Sequence, residues 1–170
     1  IHKGRQGCQF WEHLHSPANR IDDQPKGWRP SQLITQVYEI QTPTDVELMI
    51  DLGVDHIGSV LVPDHGFKQP TLREAITEVK SAQRISSLIP LCGELDAVLL
   101  AIDYYRPDIL HLCENISHAE AAATKAFDLQ SSIRRRCPEV KLMRSLPIAP
   151  SGGGSGETTL ELAKRFESIS

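Results

Sequence analysis

The feature that most constrains this chain is a rhythm. From residue 36 onward, short apolar runs alternate with longer stretches of helical periodicity, five times over, at about 25–30 residues per unit. The predicted strands are 36–41 (QVYEIQ), 54–62 (VDHIGSVLV), 84–92 (RISSLIPLC), 108–116 (DILHLCENI) and 140–148 (VKLMRSLPI). The predicted helices are 42–53, 71–82, 94–106, 117–137 and 157–169. End signals support them. Thr42-Pro43 opens the first helix and Gly53 closes it, while Thr71 and Glu74 have the spacing of a capping box. Repeated strand–helix alternation demands crossover connections, hence an α/β fold on a parallel sheet.

Two architectures satisfy that demand. A parallel (β/α) barrel of the TIM-barrel kind needs eight units and about 250 residues. Five units make an apparently incomplete barrel, with two open edges through which it is expected to self-associate. The alternative is a doubly wound five-stranded parallel sheet, complete in itself. Residues 1–34 have a different texture, rich in Gln, Arg, Pro, His and Gly without a sustained period. They read as an extended or disordered arm before a barrel domain at 35–170, with Trp11 and Trp28 as residues able to pin it. The chain starts with Ile and stops directly after a helix, so the barrel domain is expected to be truncated at its C-terminus and inactive as it stands.

Bulk properties exclude several classes. With 170 residues and 40% hydrophobic content there is material for one real core. A net charge of −4 gives no electrostatic footprint for nucleic acid or an anionic membrane. No apolar run approaches the roughly 18 residues of a spanning helix, and the first residues lack the layout of a signal peptide. The expectation is a soluble cytoplasmic protein with neither nucleic-acid nor membrane partners. Cys8, Cys92, Cys113 and Cys137 form no CxxC and no Cys/His ligand spacing. Neither a metal site nor a disulfide framework is expected.

The stretch DILHLC points to chemistry. Read with period two, Leu110 and Leu112 share one face, and His111 and Cys113 share the other. In a barrel the second face points inward, and the C-terminal ends of the strands carry the site. Polar groups gather at those ends: Glu39, Gln41, Ser59, Cys92, His111, Cys113, Arg144 and Ser145. The same alternation sends Tyr38 and Ile40 toward the helices and Glu39 and Gln41 inward. His111 suits an acid, a base or an orienting donor. Arg144 suits a ligand carboxylate or phosphate. The structural alternatives are a satisfied strand histidine, an inert thiol at Cys113, and a Glu39 carboxylate paired with Arg144 or Lys141. Asp55 and His56 begin a strand at the opposite end and are set aside. Arg134–Arg136 read as a solvated helix end. The glycine-rich run in 151–159 lacks the Gly-Lys-Ser/Thr end of a P-loop and reads as a flexible loop rather than a phosphate cradle.

The order of these pieces resembles phosphoribosylanthranilate isomerase, a (β/α)8 barrel of tryptophan biosynthesis. GVDHIG (53–58) is similar to Gly-Ala-Asp-Ala-Ile-Gly of that family's second strand. DILHLCE (108–114) is similar to Asp-Ile-Val-Gln-Leu-His-Gly of the fourth, and VKLMRS (140–145) to Ile-Lys-Ala-Ile-Arg of the fifth. The resemblance covers 36–169. It implies a cofactor-independent sugar-phosphate isomerase acting on a small phosphorylated substrate by an Amadori-type rearrangement. In that reaction an acid protonates the ring oxygen, the ring opens to an imine, and a base removes the C2 proton. The family's base is a Cys near the end of the first strand, and aligning VYEIQT there places Glu39 in its position. Burial would raise a glutamate toward neutrality and fit it for the task.

Taken together, the residues and the resemblance nominate Glu39 and His111 as catalytic. Gln41, Ser59, Cys113 and Arg144 are nominated as substrate-binding. The family's acid and phosphate turns belong to later units, and its Arg after the second strand has only Lys68 as a counterpart, so no phosphate-binding residue is nominated. The alternative function is a non-catalytic α/β module that binds a phosphoryl ligand or a protein.

Overall fold

In the structure, a computed structural model, the described residues are 33–114, 116, 120–148 and 158–169. The expected arm, with Cys8, Trp11 and Trp28, and the glycine-rich run at 151–156 lie outside them. The chain divides into two units, Ile1–Leu33 and Ile34–Ser170, and every element among the described residues belongs to the second. In chain order these are β1 (Gln36–Val37), α1 (Pro43–Asp51), β2 (His56–Leu61), α2 (Pro70–Ser81), β3 (Ile85–Pro90), α3 (Leu95–Tyr105), β4 (Ile109–Leu112), α4 (Glu120–Arg136), β5 (Lys141–Arg144) and α5 (Thr159–Glu167). A single 3₁₀ turn at Pro63–His65 interrupts the β2–α2 loop. All ten expected elements are present, each strand shorter than its apolar run.

The helices start and stop for local reasons. The Thr42 hydroxyl accepts the Asp45 N–H at the head of α1, and Pro43 stands in the first turn. At α5, Thr158 and Glu161 cap each other reciprocally, a box the sequence reading passed over. At α2 the expected Thr71 box is absent. Gln69 occupies the cap position without a side-chain bond, because Pro70 moves the first turn one residue earlier. Gly53, Gln83 and Arg106 take positive φ where helices turn back to strands; for Gln83 and Arg106 that is a conformation L-residues seldom adopt.

The five strands form one all-parallel sheet in the order β1-β2-β3-β4-β5. Register decides which residues share a face. Ile57, Ser59 and Leu61 of β2 align with Ser86, Leu88 and Pro90 of β3; Leu88 aligns with Leu110 of β4, and Leu110 and Leu112 with Leu142 and Arg144 of β5. The buried leucines and isoleucine of this face pack on helical residues. Ile57 meets Val46, Ala75 and Val79. Leu61 and Leu88 meet Leu72, Ile76 and Ala101. Leu110 and Leu112 meet Val98, Ile102, Leu129 and Ile133. Strand and helix periodicities therefore agree on one hydrophobic layer.

The other face carries Tyr38, Gly58, Ser87, Ile109, His111 and Met143, and it is curled. Five strands at the usual spacing would hold β1 and β5 roughly 19 Å apart in a flat sheet. Instead Tyr38, just after β1, brings its Oη to 3.5 Å from the Sδ of Met143 on β5. Among the described residues β1 and β5 pair with no further strand, so these elements alone close no barrel.

Two matching clamps fix the amino ends of the strands. Thr35 donates its N–H and hydroxyl to Asp55 Oδ2 at 2.8 and 3.0 Å. Ser86 does the same to Asp108 Oδ2 at 2.9 and 2.7 Å. Each carboxylate also faces a cation: Arg84 at 3.9 Å from Asp55 and Lys80 at 3.4 Å from Asp108. Burial pushes the Asp108 carboxyl up, but the Ser86 donors and Lys80 outweigh it and hold it below the usual range. A folded carboxylate held below its unfolded value, about 3.9, stabilises the fold above that pH and loses its contribution as pH falls through the folded value. Asp108→Asn is expected to cost about 1 kcal/mol at pH 7, allowing for solvent screening. The gap to the parent should begin to narrow below about pH 4 and close as pH falls past the folded value. Denaturant melts at pH 7 and pH 3 check this; a gap that persists unchanged at pH 3 contradicts it.

Candidate functional site

The carboxyl ends of the strands bring some nominated residues together and scatter others. His111 sits on β4 with its side chain on the curled face, as period two requires. Its Nε2 lies 2.9 Å from the Ser145 hydroxyl, just beyond β5. Its ring stands 5.4 Å from that of Tyr38, tilted by 50°. Its Nδ1 is buried and has no hydrogen-bond partner. Burial, with the Arg144 charge adding to it, holds the imidazole below its ordinary pKa, so it is neutral at pH 7. Gln36 Nε2 and Ser87 Oγ, on the same face by alternation, are likewise buried without partners.

Tyr38 is the residue sequence reasoning missed. Alternation sent it toward the helices with Ile40. Ile40 does pack there, against Val46 and Ile57. Tyr38 instead lies on the curled face with His111 and Met143. The reason is Glu39, whose φ of 65° breaks the pleat and shifts the parity of the residues after it. Gly58 makes the room: a Cβ there would stand 2.5 Å from Tyr38 Cδ1. A glycine inside a strand pattern was the available signal of a close approach.

The other nominated residues sit as follows. Glu39, expected to face inward, is exposed and has no ion-pair partner among the described residues, so the alternative of a pair with Arg144 or Lys141 is not formed either. The Gln41 side chain imitates a strand: its Nε2 donates to Val60 O at 2.9 Å and its Oε1 accepts from Val60 N at 3.2 Å. Ser59 is buried and donates to Ile40 O at 2.7 Å. Both side chains tie the segment that follows β1 to β2. The Cys113 thiol follows β4, half-buried; burial first, then Glu114, pushes it up and keeps it protonated. Cys92 and Cys137 are also free thiols, each raised chiefly by burial.

Arg144 lies on the helix side of β5, as its register with Leu112 dictates. Its side chain is 5% exposed. It donates to Gln130 Oε1 at 2.7 Å and to Glu114 Oε1 at 3.1 Å, and stacks 4.6 Å from the Phe166 ring. Gln130 in turn donates to Phe166 O at 3.5 Å. The guanidinium thus joins β5, α4 and α5 and is spent on protein partners. Lys68, the only cation offered by the β2–α2 loop, lies over the Tyr104 ring at 5.7 Å. Among the described residues no group of three His, Cys, Asp or Glu could hold a metal ion, and no helix is long and apolar enough to cross a membrane.

The chemistry this arrangement offers is proton transfer. One imidazole nitrogen is held by a hydroxyl and the other is free. If Ser145 donates to Nε2, Nδ1 carries the proton and is an acid. If Nε2 donates to Ser145, Nδ1 is a lone-pair base. No family model matches the chain, and no curated protein matches it.

Proposed function

We propose that residues 36–169 are the first five units of a (β/α) barrel of the phosphoribosylanthranilate isomerase kind. In this reading the curled face binds a small phosphorylated sugar, with His111 as the proton-transfer group. The observation that carries the reading is His111 itself, a neutral imidazole on that face with Nε2 engaged by Ser145 and Nδ1 bare. An Amadori-type rearrangement needs one proton delivered to a ring oxygen and one removed from C2, and a neutral imidazole serves either step. Sequential strand order, helix packing on one face and the approach of Tyr38 to Met143 support the barrel over a doubly wound sheet, whose strand order reverses. The exposure of Glu39 favours a second reading, ligand binding without turnover, since that carboxylate lacks the burial a base at its position calls for.

The test is a titration of the chain with ribose 5-phosphate, following the His111 ring by NMR. A saturable shift, lost in His111→Phe while circular dichroism is unchanged, is expected. Absence of any saturable shift at millimolar ligand would overturn both readings. Binding without conversion of phosphoribosylanthranilate would leave the second.

A further inference from the structure

A cleft opens at the amino end of the sheet, at the other end of β4 from His111. It encloses about 750 Å³ between the last turns of α3 and α4 and the starts of β3, β4 and β5. That volume falls within the range of small-molecule sites, about 300–1,000 Å³. Its whole lining lies between Lys80 and Lys141 and is described. Ile85, Leu99, Ile102 and Val140 give it an apolar wall. Its rim sets four cations against three carboxylates, one positive charge in surplus. Lys80 and Asp108 face each other at 3.4 Å. Arg106, Arg136 and Lys141 are exposed and join no ion pair among the described residues, and the same holds for Asp103 and Glu139.

Neutralising helix ends accounts for only part of this charge. Arg136 stands in the last turn of α4, where a cation meets the negative end of the dipole, but Arg134 and Arg135 already serve that end. Lys141 belongs to a strand. Arg106 caps α3 with φ 50° and ψ 52°, the left-handed conformation that glycine adopts at lower cost. The turn is braced. Lys80 Nζ donates to Arg106 O at 2.8 Å while facing Asp108, which Ser86 holds in turn. Arg106 Nε donates to Asp103 O at 3.4 Å, so the guanidinium is steered from its own helix end. A strained backbone kept for an arginine, on the rim of a cleft, is a mark of a binding residue.

We propose that this cleft binds a small organic monocarboxylate with an apolar body. Arg106 and Arg136 offer the carboxylate their forked donors, and the body lies on Ile85, Leu99 and Val140. The surplus of one positive charge matches a single carboxylate, while Asp103 and Glu139 oppose a phosphate dianion. The inference is independent of what the curled face binds.

The test is a titration of the methyl-labelled chain with benzoate and with hexanoate, followed by NMR. Saturable shifts of the Ile85, Leu99 and Val140 methyls are expected at millimolar ligand, with the His111 ring signals unmoved. Benzamide, the same body without the charge, should bind at least about tenfold more weakly than benzoate. Inorganic phosphate should not displace benzoate. Arg106→Gly should keep or raise the urea midpoint, because the left-handed turn is relieved, yet weaken benzoate at least about tenfold. Arg136→Gln, with circular dichroism unchanged, should weaken it similarly, and it carries the test should Arg106→Gly fail to fold. No saturable shift of these methyls with either carboxylate overturns the proposal. So does benzamide binding as tightly as benzoate, displacement by an equal concentration of phosphate, or undiminished affinity in either folded variant.

Discussion

Replacing Arg144 by methionine is expected to cost about 3 kcal/mol of stability, measured by urea denaturation at pH 7. Methionine keeps the stem and its contact with Phe166 but removes every guanidinium bond. Gln130 Oε1, 2% exposed as a residue, loses its donor, and Glu114 is left without its cation. Removing one partner of a fully buried pair costs about 3–5 kcal/mol; the lower figure applies because Glu114 is a third exposed and water recovers part of its solvation. For a chain of this size the melting temperature should fall by roughly 6–12 °C. The double variant Arg144→Met/Glu114→Leu should recover part of the loss, since no unpaired carboxylate remains. A residue placed for ligand alone would behave otherwise, with stability unchanged and binding lost. That outcome would mean the contacts to Gln130 and Glu114 do not hold α4 and α5 on the sheet.

The second large effect is expected at Gly58. Valine is a better strand residue than glycine, and in isolation the exchange should help. Here its Cβ would meet Tyr38 Cδ1 at 2.5 Å, and Val37 O at 3.3 Å. The tyrosine ring has Met143 and His111 beside it and cannot swing aside freely. Overpacking of this kind costs about 3 kcal/mol. In a Tyr38→Ala background the ring is gone, and Gly58→Val should then be neutral within about 1 kcal/mol. A thermodynamic cycle of the two substitutions checks the argument. Equal costs in both backgrounds would mean the strain arises from the backbone at Val37 and not from the ring.

Those two positions mark how far the sequence could be read. The leucines of β4 were legible: their alternation with His111 and Cys113 is a local period, and the core formed by Leu110 and Leu112 follows it. The extent of each strand was not, because an apolar run does not say where pairing stops. Arg144 was assigned to a ligand because it ends a strand; its side chain belongs to the helix layer through a register with Leu112 that spans two strands. Tyr38 and Ile40 fall on different faces because Glu39 between them is left-handed, a conformation no local pattern announces for glutamate.

What the sequence determined by itself was the parallel α/β order, because strand and helix periods, proline starts and a glycine stop are short-range properties of neighbouring residues. What the tertiary structure alone decided was the site. The curl of the sheet brings Tyr38 to Met143, and the pairing of β4 with β5 brings His111 to Ser145, across separations of 105 and 34 residues. Such contacts depend on register and twist summed over several strands, quantities that no single segment encodes.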